Sequence, residues 1–391
     1  MLFVDYLSSH AYSCTPCCHS TAMQCAGATS SACAVRPGLD ESLTALTSLR
    51  GGGTSRKDLQ RASRYLLGDG KGISGQIVAG ELDDRRATAL ITALGRSSQW
   101  QLALCALPAF EQFRESGLSP TVGIVGAAVG ACTKGQQWQR ALALLADFTS
   151  KNLRPDVALL NCGIAACEKG GNWQLGLQLL WEMLSDKGSG LAPNVITFSS
   201  AISACGRGQR WQWAVWLLAA MRGTSASPNV VTFSAAASAC EKGRRWEWAL
   251  ELLGELRQSR LQPNVVTYGA VISACEKGLQ WERALALLGT MRSEQILPST
   301  ISCNAAISAC EKCLQPDRAL ALLAGMLTDG PSPDVWSYNA AISACEKARL
   351  WQQAFSLLEE MRVQQLAPDV VSCNAAMSAC EKAAESWCRL R

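Results

Sequence analysis

The chain has 391 residues, with 36 Lys and Arg against 32 Asp and Glu and a net charge of +4. A balance this mildly basic falls well short of a strongly electrostatic nucleic-acid binder, and net charge alone neither demands nor excludes RNA. The uncharged stretch at residues 116–133 contains Pro120 and several glycines, and it falls short of the roughly 18 consecutive apolar residues that a membrane span needs.

Residues 1–54 differ in composition from everything that follows. They are rich in Ser, Thr, Ala and Cys, and before Arg36 the only acid is Asp5. Scarce acids and abundant hydroxyls fit a cleavable, disordered leader of the organelle-transit type, although the Arg richness of such leaders is missing. The expected location is therefore a chloroplast or mitochondrion, with the cytoplasm as the alternative. Cys14, Cys17, Cys18 and His19 form CTPCCH, but no second ligand pair stands at zinc spacing, so no metal site and no cofactor is expected. Gly51, Gly52 and Gly53 mark a flexible break. Residues 55–83 read as a linker with one short helix carrying Leu59, Ala62 and Leu66 at helical spacing.

From residue 84 to residue 391 the chain repeats itself. The clearest unit is Pro263 to Leu297, PNVVTYGAVISACEKGLQWERALALLGTMRSEQIL, and units open at Pro120, Pro155, Pro193, Pro228, Pro263, Pro298, Pro333 and Pro368. Cys132, Cys167, Cys205, Cys240, Cys275, Cys310, Cys345 and Cys380 keep the same beat, as do Trp138, Trp173, Trp211, Trp246, Trp281 and Trp351, with Pro316 in the one missing slot. A fixed period near 35 residues signals a repeat array in which each unit contacts chiefly its neighbours, so length does not count domains here. A first, degenerate copy begins near Asp84, with Trp100 in the tryptophan slot. Eight complete units and a truncated ninth are expected by this reading. Cysteines one repeat apart inside apolar runs read as small buried hydrophobes in a reducing compartment, not as a disulfide framework.

Within a unit, the run ending at Lys277 and Gly278 predicts a first helix with glycine as its stop signal. Trp281, Ala284, Leu285, Leu288 and Met291 then share one helical face, and Pro298 ends the second helix. Each unit is thus two antiparallel helices, stacked on neighbours because one pair cannot bury both apolar faces. The recurring Trp and Cys read as core packing. The longer units carry their extra residues before the closing proline, as at residues 187–190, where a loop absorbs them. The last unit starts at Val370, and its tail AAESWCRLR reads as a partial cap.

A unit that opens Val-Val-Thr-Tyr-x-x-x-Ile, carries Lys before its turn and then Ala-Leu-x-Leu-Leu and Met, and closes on Pro followed by Asn or Asp resembles the pentatricopeptide repeat. The tetratricopeptide pattern would instead want Trp within the first helix; here Trp opens the second. The resemblance implies an all-α, right-handed solenoid, monomeric, that binds single-stranded RNA along its first helices, one base per repeat, and acts in organellar RNA processing, stability or translation. It also implies that the fifth residue and the last residue of each unit read a base together. The pairs are then Thr88 with Thr121, Gly126 with Asp156, Asn161 with Asn194, Ser199 with Asn229, Ser234 with Asn264, Gly269 with Ser299, Asn304 with Asp334, and Asn339 with Asp369. By the family's code the target is two unassigned bases, a pyrimidine, A, A, one unassigned base, U and U. The second residue of each unit wedges between bases: Ile196, Val231, Val266, Ile301 and Trp336. Lys169, Lys242, Lys277, Lys312 and Lys347, at the foot of the first helix, are placed to follow phosphates.

Each of these positions also has a plain structural reading. Asn or Asp before a helix is an N-cap, worth about 1 kcal/mol. The lysines can complement the helix dipole and pair with the adjoining Glu168, Glu241, Glu276, Glu311 and Glu346, and Val and Ile can be core at the groove edge. The polar fifth residue has no such folding role, and it favours RNA. The alternative function is a protein-binding scaffold that grips a peptide in the same groove. No enzyme is expected: the only histidines are His10 and His19, so the repeats offer none as a general base, and the H-x-E and P-C-x-x-C zinc signature of a nucleobase deaminase is missing. A separate RNA-processing enzyme remains a candidate partner.

Overall fold

The computed structural model describes residues 122–150, 153–185, 191–224 and 226–389, with a few further positions between 88 and 104. The expected leader, the linker at 55–83 and the insertion at 187–190 lie outside the described residues. The chain divides into two compact units, residues 1–193 and 194–391. Among the described residues there are 15 helices and no strands.

The first unit holds α1 (Val122–Lys134), α2 (Trp138–Ser150), α3 (Val157–Gly170) and α4 (Trp173–Ser185). The first helices α1 and α3 pack on each other, with α2 against both and α4 against α3. The second unit holds α5 (Val195–Arg207), α6 (Trp211–Met221), α7 (Val230–Lys242), α8 (Trp246–Gln258), α9 (Val265–Lys277), α10 (Trp281–Ser293), α11 (Thr300–Lys312), α12 (Pro316–Asp329), α13 (Val335–Lys347), α14 (Trp351–Val363) and α15 (Val370–Arg389). Here α5, α7, α9, α11, α13 and α15 form one layer, each packed on the next, and every second helix lies against its own first helix and the one that follows. This is solenoid packing, built from hairpins as the period requires.

The core is the same few positions repeated. The fourth residue of a unit supplies its largest side chains: Phe198, Phe233, Tyr268 and Tyr338 are 0–1% exposed, and burying each stabilises by roughly 1.5–3 kcal/mol. Cys132, Cys167, Cys205, Cys240, Cys275, Cys310 and Cys345 are completely buried. Burial holds their thiols well above the ordinary range, with Cys167, Cys205 and Cys240 pushed up to about 12. They pack as small hydrophobes, as the sequence suggests.

The tryptophans do something other than fill the core. They are half-buried, and Trp351 is exposed. A Cβ added to Gly278 would lie 2.1 Å from Trp246 Cδ1, and one added to Gly243 would lie 2.5 Å from Trp211 Cδ1. In the first unit Gly135 meets Trp100 and Gly170 meets Trp138 in the same way, so Trp100 sits as its repeat slot predicts. Each of these four rings therefore roofs the glycine at the end of the next repeat's first helix.

These glycines stand at the ends of their helices, as the stop-signal reading expects, and in the second unit they do so without a left-handed backbone. Gly208, Gly243 and Gly278 have φ of −77°, −79° and −89°. The left-handed residue is the next one, Gln209, Arg244 or Leu279. Ring contact, not backbone conformation, excludes a side chain at Gly243 and Gly278. In the C-terminal tail α15 runs on to Arg389, where other first helices stop at the equivalent of Lys382. Ala383, Ala384 and Glu385 stand where the turn would be, and all three favour helix.

Gly278→Ala is expected to lower stability by roughly 1–3 kcal/mol through overpacking, and Trp246→Leu in the same chain to relieve most of that loss. A double-mutant cycle on urea midpoints checks this. A neutral Gly278→Ala would show that the ring does not confine the glycine.

Candidate nucleic-acid interface

In the second unit, every first helix from α5 to α13 buries its third, fourth, seventh and eighth residues and leaves its second residue outside. Ile196, Val231, Val266, Ile301 and Trp336 are 58–76% exposed. These expected wedge residues are therefore surface and not groove-edge core. A row of stiff apolar side chains, one per repeat, faces solvent with no intramolecular partner surface. Gly126 and Gly269, at the fifth position, have open space where a side chain would project.

Beside this row stand the expected reading residues. Each unit's last residue caps the following first helix: Asn194, Asn229, Asn264, Ser299 and Asp334 accept from the backbone N–H three residues on, and Asp369 accepts from Ser372 N at 2.8 Å. In the first unit Asp156 does the same for α3. Capping does not exhaust them. Asn304 Nδ2 donates to Asp334 Oδ1 at 3.0 Å, and Asn339 Nδ2 donates to both oxygens of Asp369, at 3.2 and 3.1 Å. Fifth and last residues of these repeats thus form joined amide–carboxylate pairs. Ser199 and Ser234 instead turn their hydroxyls back onto Val195 O and Val230 O, each at 2.7 Å. Asn161 lies on α3 of the first unit and Asn194 at the start of the second; Thr121 lies outside the described residues.

Third-position hydroxyls complete the pairs, and sequence reasoning passed over them. Ser337 Oγ donates to Asn304 Oδ1 and Ser372 Oγ to Asn339 Oδ1, both at 2.6 Å. Ser234 Oγ and Thr267 Oγ1 are 2.7 Å apart. The signal was present: Thr197, Thr232, Thr267, Ser302, Ser337 and Ser372 hold a hydroxyl once per repeat.

The lysines form a ladder. Lys277, Lys312, Lys347 and Lys382 bond Glu241, Glu276, Glu311 and Glu346 at 2.7–2.8 Å. Each partner belongs to the preceding repeat, so the expected pairing with the adjoining glutamate is replaced by a link between repeats. Ser308, Ser343 and Ser378 donate to the same glutamates Glu276, Glu311 and Glu346. Lys242 finds Gly206 where that glutamate would stand and Lys169 finds Thr133. Both are exposed cations. Half-exposed ion pairs of this kind contribute about 0–1 kcal/mol each, so a phosphate can compete for the ammonium groups.

Two carboxylates of the pairs are held below the ordinary carboxylate range. Partial burial pushes Asp334 upward, but bonds from Ser337 N–H and the Asn304 amide outweigh it. For Asp369 the bond from Ser372 N–H is the largest cause. Both are therefore acceptor-only anions at neutral pH.

Comparison with known proteins agrees with the repeat. Models of the pentatricopeptide repeat match residues 333–382, 143–208, 217–278, 251–312 and 301–331. No curated protein is significantly similar over the sequence. Among solved structures, the pentatricopeptide repeat protein PPR10 in complex with an 18-nucleotide psaJ RNA element superposes with a TM-score of 0.67 at 18% identity, covering 87% of this chain and 48% of that one. PPR10 from maize gives 0.51 at 19% identity, covering 98% of this chain and 66% of that one. The chain thus spans about half the length of the RNA-bound relative, and the likeness establishes the fold.

Folded-state pKa values below the unfolded ones mean that Asp334 and Asp369 stabilise the array fully above about pH 4, the unfolded carboxylate value. That contribution falls away as pH drops through their lowered native values. Acid titration of Asp334→Asn/Asp369→Asn against the unaltered protein is expected to show a shallower loss of stability below about pH 4 in the variant. Parallel acid limbs would contradict the assignment.

Proposed function

Given that the chain belongs to the pentatricopeptide repeat family, we propose that it binds single-stranded RNA along the first helices of its array. The observation that carries this reading is the juxtaposition on one face of an exposed apolar row and amide–carboxylate pairs at a common spacing. Ile196, Val231, Val266, Ile301 and Trp336 are exposed, and stiff β-branched or aromatic side chains sandwich bases at little entropic cost. Asn304 with Asp334 and Asn339 with Asp369 present a donor beside an acceptor toward a Watson–Crick edge. Lys169, Lys242, Lys277, Lys312 and Lys347 are the cations for the phosphates.

The base order proposed is pyrimidine, A, A, one unread base, U and U, read by Asn161 to Asp369 as paired in the sequence. Gly269 has no side chain to read with, which leaves its base open. The biological role proposed is post-transcriptional, in an organelle: shielding, remodelling or presenting a transcript, with chemistry left to a separate enzyme.

Fluorescence anisotropy of the chain with an RNA carrying pyrimidine-A-A-N-U-U, and with a control in which C replaces both A, tests the reading. A tenfold or larger loss on the control, about 1.4 kcal/mol, is expected. Equal and steeply salt-dependent binding to both would mean phosphate contacts alone, and no binding would favour the peptide-scaffold alternative. The open space at Gly269 permits a gain-of-function test: Gly269→Asn with Ser299→Asp is expected to give the unread position a preference for U of roughly tenfold. Indifference at that position would count against paired reading.

A further inference from the structure

Resting on the RNA-binding reading, we propose that Ser337 and Ser372, the third residues of their repeats, are positioning residues that decide which base the preceding repeat accepts. They do so by fixing the orientation of the Asn304 and Asn339 amides.

A primary amide is nearly symmetric in shape and opposite in chemistry at its two ends, so an unrestrained Asn can offer either a donor or an acceptor to a base. Ser337 removes that freedom. Its hydroxyl lies 2.6 Å from Asn304 Oδ1 and 2.9 Å from Asp334 Oδ1, with one hydrogen to give. Asp334 Oδ1 already accepts from Ser337 N at 2.9 Å and Asn304 Nδ2 at 3.0 Å. The hydrogen therefore goes to the nearer amide oxygen. Turning the amide over would set its carbonyl against the ionised carboxylate, acceptor to acceptor, so the network selects one orientation. Around Asn339, Ser372 Oγ bonds Oδ1 at 2.6 Å and Asp369 receives Nδ2.

What remains for a base is one amide N–H and one carboxylate oxygen. An amide donor beside an anionic acceptor complements the O4 acceptor and N3–H donor of uracil. Cytosine offers N3 as an acceptor, which a carboxylate repels. Discrimination between these pyrimidines thus depends on the amide staying in place, and the hydroxyl that holds it comes from the next repeat, 33 residues away in each case. Thr267 stands in the same relation to Ser234. Ser302 provides an internal control: it follows Gly269, which has no side chain to hold, and its hydroxyl donates to Ser299 O within its own cap.

The test is pyrimidine discrimination by the full chain, measured as the affinity ratio between RNA ending in U-U and RNA ending in C-C at the two positions. Ser337→Ala/Ser372→Ala is expected to reduce that ratio at least tenfold, chiefly by weakening the U-U complex, and Ser337→Thr/Ser372→Thr to retain it. Ser302→Ala, which removes an equivalent capping hydroxyl, is expected to leave the ratio unchanged. If the double alanine variant loses affinity for both RNAs alike, or keeps the unaltered protein's ratio, the hydroxyls only cap helices and the inference is wrong. If the unaltered protein shows no preference for U-U, the RNA-reading assignment itself falls, and this inference with it.

Discussion

A hairpin of two short helices cannot bury both faces of its first helix, and stacking first helix on first helix is the constraint from which the rest of this structure follows. The stack is possible because the facing positions are small. Ala239 lies so close to Gly206 that a Cβ there would come within 3.1 Å of it, and Ala204, Ala239, Ala274, Ala309 and Ala344 are all but fully buried. Close approach brings the end of one repeat against the beginning of the next, and it places the fifth residue of a first helix beside the cap of its successor. The amide–carboxylate pairs are a consequence of that spacing.

The same geometry explains why residues that hold the fold together also form the candidate site. Asp334 starts α13 by receiving Ser337 N–H, and it also receives the Asn304 amide. Capping and pairing draw on different acceptor capacity of one carboxylate, so the two roles coexist. The ladder of lysines on glutamates of the preceding repeat adds links on the same edge. These links are weak individually and exposed to solvent, as suits groups whose cations are proposed to meet phosphates.

Much of this was legible in the sequence because period and helix pattern are local properties. The bounds Val265–Lys277 and Trp281–Ser293 follow from Asn264, Gly278 and Pro298, and the buried cysteines from their place in apolar runs. What escaped reading depends on contacts across repeats. Gly278 marks the helix end in the sequence, but that Trp246 of the preceding repeat lies above it shows only in the structure. Lys277 sits next to Glu276 in the chain yet bonds Glu241, because side chains at successive positions of a helix point apart while those one repeat away face each other. Ser337 reads as an ordinary cap residue, and only the stack reveals its bond to Asn304.

The most direct test of the account is photo-cross-linking with an RNA that carries 4-thiouridine at the two U positions, followed by mass-spectrometric mapping of the modified peptides. The account predicts cross-links in the segments 301–304, 334–339 and 369–371, on the exposed side of the first helices. Cross-links on the second helices instead, at the exposed Trp213, Trp216 or Trp248, or none above background, would contradict it.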